Sequence, residues 1–166
     1  MTNNYTTMQD QVSSETAEEL SMRTLHTTLA IQDDINKHNP NCVMLNPKMA
    51  NISFGTDGFR GILNEDFNIE NVKTIVKACA KYISETYGTH KQIIIGYDPR
   101  NQAYEYAMNT ANLLLAYGFD VCVSPKVVPT PIIAFAAKYY NACAFMFTAS
   151  HNPPNYLGIK FIPDYG

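Results

Sequence analysis

Thr148-Ala149-Ser150-His151-Asn152-Pro153 sets a hydroxyl, an imidazole and a carboxamide directly after an apolar run, Ala142 to Phe147. That run reads as a buried strand. A serine just beyond the C-terminal end of a parallel strand stands where open α/β sheets bind their ligands. Pro153 and Pro154 follow. Both lack an N–H and fix φ, so no ordinary helix runs through them. Ser150 is therefore expected on a stiff, irregular loop that presents its hydroxyl. Taken alone, the same serine reads first as part of an ordinary β-turn. Ser150 and His151 are neighbours in the chain, and a nucleophile–base pair is set by geometry rather than adjacency. No Gly-x-Ser-x-Gly elbow is present, which removes a serine-hydrolase reading.

Four other segments accompany this loop. They are Phe54-Gly55-Thr56-Asp57-Gly58-Phe59-Arg60-Gly61, Gly96-Tyr97-Asp98-Pro99-Arg100, Pro129-Thr130-Pro131 and Gly158-Ile159-Lys160. In this order around Ser150 they resemble the first domain of the α-D-phosphohexomutases, the phosphoglucomutase/phosphomannomutase superfamily. The resemblance covers roughly residues 52–166.

It implies that Ser150 is the phosphoserine that moves a phosphoryl group between the C1 and C6 oxygens of a hexose phosphate. A free alcohol is a weak nucleophile, whereas a phosphoserine carries nearly two negative charges at neutral pH. The resemblance places Arg60 in the active site, where its planar fork suits phosphate. It places Lys160 beside the sugar as a proton-transfer candidate. A lysine does that only with a lowered pKa, and otherwise clamps charge. His151 is implied to contact the site, donating to the phosphoryl group or holding the loop. Thr56 and Asp57 are read as loop-organising, and Arg100 as a brace for the serine loop rather than a substrate contact.

The resemblance also implies Mg²⁺, bridging phosphoryl oxygens. Here Ser150, through its phosphate, is the one metal ligand that can be named. The family's Asp-Gly-Asp-x-Asp-Arg metal loop is not in this sequence, and Asp57, Asp98 and Asp164 are isolated. Glucose 1,6-bisphosphate is the implied activator, a hexose phosphate the substrate, and the further C-terminal domains the partners. The expectation is that these 166 residues alone do not turn over. The alternative is a stand-alone, non-catalytic phosphate- or partner-binding module. Leu157, where the family often has Asn, and Thr148 favour glucose or mannose phosphate over the glucosamine-specific branch.

The elements that must position these residues follow from local patterns. Asn68 caps a helix that runs to Gly88, with Val72, Ile75, Val76, Cys79 and Ile83 on its buried face. Lys73, Lys77 and Lys81 lie on the opposite side and read as a solvated face rather than a phosphate stripe. Strands are expected at Gln92–Tyr97, Phe119–Ser124, Ala142–Phe147 and Gly158–Ile162. Helices are expected at Asn101–Tyr117, stopped by Gly118, and at Thr130–Tyr140 behind Pro131. Strands that alternate with helices predict an α/β fold, a three-layer α/β/α sandwich around a mostly parallel sheet.

Residues 1–50 read as a polar, partly helical extension, with a helix over 14–37, and 51–166 as the domain. The chain is expected to leave strand 158–162 as an open edge and so to self-associate.

The whole chain has a net charge of −3. Residues 1–50 carry three basic against six acidic residues, while 51–166 balance. No Lys/Arg cluster supports nucleic-acid binding. No apolar run is long enough to span a membrane, and the N-terminus has no basic or apolar leader. Cys42, Cys79, Cys122 and Cys143 form no CxxC pair, which disfavours zinc. The last three read as small buried side chains, and a reduced cytoplasmic setting fits.

Overall fold

A computed structural model describes residues 22–23, 26–27, 29–31, 33–34, 52–55 and 58–166. The elements run β1 (Phe59–Ile62), α1 (Ile69–Tyr87), β2 (Ile93–Tyr97), α2 (Ala103–Ala116), β3 (Val121–Val123), α3 (Thr130–Tyr139), β4 (Cys143–Phe147) and β5 (Tyr156–Ile162). They build one five-stranded sheet in the order β1-β5-β4-β2-β3. β2 pairs in parallel with β3 and β4, while β5 pairs antiparallel with β4 and β1.

The alternation of the strands sorts the side chains onto two faces. Ile93, Ile95, Phe145, Phe147, Leu157 and Ile159 join Ile75, Val76, Cys79 and Ile83 of α1 and Leu114 of α2 in the larger core. Ile94, Ala144, Met146 and Ile162 pack with Ile133 and Ala137 of α3 in the smaller one. β2 and β4 are buried throughout because helices cover both of their faces. The fold is thus the expected α/β class with α/β/α layering, parallel at its centre. Gly96 lets α3 lie close: a Cβ there would come within 2.4 Å of Ile133 Cγ1.

Local signals set the helix ends. Asn68 Oδ1 accepts hydrogen bonds from the amides of Glu70 and Asn71, at 3.1 and 3.0 Å. Gly88 ends α1 at φ 85°. α2 starts later than expected because Gln102 takes a left-handed φ of 61°. Lys73, Lys77 and Lys81 are exposed. Lys73 pairs with Glu70 at 3.0 Å, and Lys81 binds the Asp34 carboxylate.

Three expectations are corrected. β5 is not an edge: it starts at Tyr156 and lies between β1 and β4, so its backbone groups are paired on both sides. β1, in a glycine-rich stretch read as loop, supplies that pairing. Cys122 is exposed on the edge strand β3, whereas Cys79 and Cys143 are buried. The three-residue β3 has too little cover to hide both faces.

The described residues within 22–34 are helical, with Ile31 in the core and Thr27 Oγ1 hydrogen-bonded to the Tyr82 hydroxyl at 2.9 Å. The rest of the expected 14–37 helix, Cys42, and Thr56 and Asp57 lie outside the described residues. No helix among the described residues is long and apolar enough to cross a membrane.

Candidate active site

β4 ends at Phe147, and the chain turns over residues 148–155 before β5. The turn is closed at its base, where the Thr148 amide donates to Gly158 O at 2.9 Å. The Asn152 amide donates to Ala149 O at 3.0 Å and the Tyr156 amide to Pro153 O at 3.0 Å. At the tip, Ser150 is exposed and has φ 55°, the left-handed region that a serine seldom occupies. The Thr148 hydroxyl accepts from the Ser150 amide at 3.0 Å.

Arg100 arrives from the loop after β2. Asp98 fixes it: the carboxylate accepts from the Arg100 amide at 3.0 Å and faces Nε at 3.4 Å. The Asp98 amide in turn donates to Phe147 O at 3.0 Å, tying this loop to the end of β4. The guanidinium donates to the carbonyls of Ser150, Asn152, Pro153 and Tyr156, at 2.7 to 3.0 Å. The brace read from Asp98-Pro99-Arg100 is therefore present.

Arg60 on β1 reaches the same loop, where its Nη1 donates to Asn152 Oδ1 at 3.0 Å. In register, Arg60 faces Gly158 and Lys160 faces Met146. Paired residues project to one side of a sheet, so Arg60 and Lys160 share the face that carries α3. Gly158 makes that closeness possible. A Cβ there would meet Thr148 O at 2.6 Å, Phe59 O at 2.8 Å and Arg60 Cγ at 2.9 Å. Gly58, at φ 97°, does the same one strand row away, since its Cβ would fall 2.1 Å from Ile159 O.

Of the four residues singled out, Arg60 thus meets the loop that carries Ser150 at Asn152, two residues further on. Lys160 stands on the neighbouring strand, half-buried. His151 is exposed beside Ser150. Sequence reasoning gave no weight to Asn152 as the link to Arg60, nor to the Thr148 hydroxyl as the anchor of the Ser150 amide. The signal available was their place in one polar stretch between two strands.

A metal ion would find few donors here. Among the described residues no group of three or more His, Cys, Asp or Glu is placed to hold one, and Asp98 is committed to Arg100.

Comparison with known proteins bears on this arrangement. Residues 51–166 match the sequence model of the phosphoglucomutase/phosphomannomutase α/β/α domain I. A phosphoglucosamine mutase of Clostridium tetani is 41% identical over 117 residues, covering 68% of this chain and 25% of the relative. One from Finegoldia magna is 34% identical over 114 residues, with the same shares covered. Among solved structures, a putative phosphomannomutase from Thermus thermophilus superposes with a TM-score of 0.66 at 34% identity, covering 70% of this chain and 26% of that one. The chain spans about a quarter of the length of the curated relatives it matches.

Proposed function

The chain belongs to the phosphoglucomutase/phosphomannomutase family as an α/β/α domain I, and from that premise we propose that Ser150 carries the phosphoryl group that such mutases transfer. The observation that carries the proposal is the exposed Ser150 hydroxyl on a loop braced by two arginines at the end of β4. Phosphoryl transfer depends mainly on positioning and charge neutralisation, and both are provided for here. The loop holds Ser150 still, and Arg60 and Lys160 put positive charge on the adjacent sheet face. His151 stands beside Ser150 as a phosphoryl contact.

Among the described residues Mg²⁺ would be held through the Ser150 phosphate, and it would neutralise charge on the phosphoryl oxygens. Its other ligands, and the contacts that select the sugar, are assigned to parts of the longer relatives outside the matched quarter. Glucose 1,6-bisphosphate is proposed as the activator, and a hexose phosphate as substrate. Thr148 and Leu157 support glucose or mannose, while the phosphoglucosamine mutase relatives support glucosamine. A panel of the three sugar phosphates, tested on a chain extended as in the relatives, separates these. A reduced cytoplasmic setting goes with this reading, supported by the free thiols of Cys79, Cys122 and Cys143.

Incubating a chain extended as in the relatives with glucose 1,6-bisphosphate and Mg²⁺ should produce a protein-bound phosphomonoester resonance in ³¹P NMR. Ser150→Ala should remove it with an unchanged Tm, because the substitution deletes only an exposed hydroxyl. A wild-type chain that never acquires protein-bound phosphorus overturns the proposal. The 166 residues alone should give no mutase turnover of glucose 1-phosphate.

A further inference from the structure

We infer that Arg100, set by Asp98, is a positioning residue that fixes the main chain of Ser150 in its left-handed conformation and takes no part in binding substrate phosphate. The kinetic arm of the test rests on the phosphoserine reading above, while the conformational arm does not.

The argument begins with the donor inventory. A guanidinium has five N–H donors. On Arg100, Nη1 donates to Pro153 O at 2.8 Å and Tyr156 O at 3.0 Å. Nη2 donates to Ser150 O at 2.8 Å and Asn152 O at 2.7 Å. Nε faces Asp98 Oδ2 at 3.4 Å. All four Nη donors are thereby engaged, Nε lies against a carboxylate, and the side chain is only 15% exposed. An arginine in this state has no Nη donor left for the forked grip on an arriving phosphate.

What it does instead follows from where the bonds fall. The peptide group before Ser150 is held by the bond from its amide to the Thr148 hydroxyl. The peptide group after Ser150 is held by the bond from Arg100 to its carbonyl. With both flanking peptide planes anchored, φ and ψ of Ser150 are restrained from either side. A left-handed φ is strained for serine, so the conformation persists only where such anchors hold it. The four carbonyl oxygens gathered on one cation are also four negative dipole ends. Their neutralisation by Arg100 favours a loop that must carry a phosphate dianion. Lysine is no substitute, because an ammonium is a compact point charge without a planar fork.

The test uses the 166-residue chain with Arg100→Lys, Arg100→Ala and Thr148→Val. In wild type, the ¹³Cα and ¹³Cβ shifts of Ser150 should show the left-handed signature. Each variant should lose that signature, and amides of residues 150–156 should exchange roughly tenfold faster or more, while β2 amides stay protected. Should Arg100→Ala fail to fold, Arg100→Lys and Thr148→Val carry the result. Retention of the wild-type Ser150 shifts in folded Arg100→Lys and Thr148→Val overturns the inference.

In the kinetic arm, run on the chain extended as in the relatives, phosphoryl uptake onto Ser150 from glucose 1,6-bisphosphate should slow roughly tenfold or more at saturating donor, since small misplacements of a reacting group are costly. The half-saturating donor concentration should hold. A raised half-saturating concentration with the maximal rate intact would make Arg100 a ligand and overturn the inference. A wild-type chain that takes up no phosphoryl group contradicts the Ser150 reading instead, and the shift and exchange data still decide the role of Arg100.

Discussion

The two ends of β4 are both bounded by a non-glycine residue with positive φ, Asn141 at 51° before the strand and Ser150 at 55° after it. A basic side chain serves each end, yet the two are built oppositely. At the start of β4, Lys91 Nζ donates to Asp164 Oδ2 at 2.7 Å and to Asn141 Oδ1 at 2.9 Å, and lies 4.6 Å from the centre of the Tyr87 ring. The Lys91 and Asp164 side chains are 10% and 17% exposed. That end joins side chains to side chains and closes.

At the end of β4, Arg100 binds main-chain carbonyls and leaves the Ser150 side chain in water. Asn tolerates a left-handed φ with little cost, whereas serine does so less readily. The costlier conformation sits where chemistry is proposed, and strain of this kind accompanies functional sites.

The sharpest way to break this contrast is at Gly158, under the serine loop. Gly158→Ala forces a Cβ to 2.6 Å from Thr148 O and 2.8 Å from Phe59 O, both main-chain atoms. We expect a loss of about 3 kcal/mol. Gly118→Ala is the control: its Cβ meets nothing within 4 Å, so only its φ of 88° counts against it, at about 1 kcal/mol. Urea midpoints of the two variants test this, and equal losses would mean that the loop is not closely seated on β5.

Lys91→Met comes next. It leaves Asp164 without its cation, and breaking a buried pair costs about 3–5 kcal/mol. The partial exposure of both groups reduces that to about 2–3 kcal/mol. The comparison further requires that Ser150 still take up phosphate at the wild-type rate once the variant is folded. A variant that is stable but phosphorylated much more slowly would show the two ends to be coupled.

The smallest effect is alkaline. Burial pushes the Cys143 thiol up to about 12, with the Asp164 charge adding to it. Cys79 is raised in the same direction by burial, with Cys143 adding to it. A raised folded pKa means that the native state keeps its proton while the unfolded chain loses it above about pH 8.5. Stability from these thiols is complete below that pH and falls as pH rises above it, for Cys143 until about 12. Denaturation midpoints should therefore fall from pH 8 to pH 9.5, by up to about 1.4 kcal/mol per pH unit and thiol. A Cys143→Ala variant should lose part of that slope, and an unchanged slope would contradict the burial.

Much of this organisation is legible in the residues. Asn68 and Gly88 bound α1 because capping is a local interaction, and the apolar runs of β2 and β4 identify strands covered on both faces. Asp98-Pro99-Arg100 was readable as a brace, since its reach requires only a loop at the end of a strand. What escaped is non-local. Phe59-Arg60-Gly61-Ile62 looks like loop beside its glycines and becomes a strand only by pairing with β5. That pairing moves β5 off the sheet edge and removes the expected route to association through it. Exposed apolar side chains do gather on and just after α3, at Ile132, Phe135, Tyr139 and Tyr140. Cys122 fits an apolar strand pattern, but the pattern does not reveal that β3 is the last strand of the sheet.

The central claim is that the exposed hydroxyl at the end of β4 accepts the phosphoryl group. Peptide mapping by mass spectrometry, after exposure of the chain extended as in the relatives to glucose 1,6-bisphosphate and Mg²⁺, addresses it directly. The account predicts a phosphopeptide containing Ser150, absent from Ser150→Ala and retained in Lys91→Met. Phosphate found only on another residue, such as Ser84 or Ser124, would contradict it.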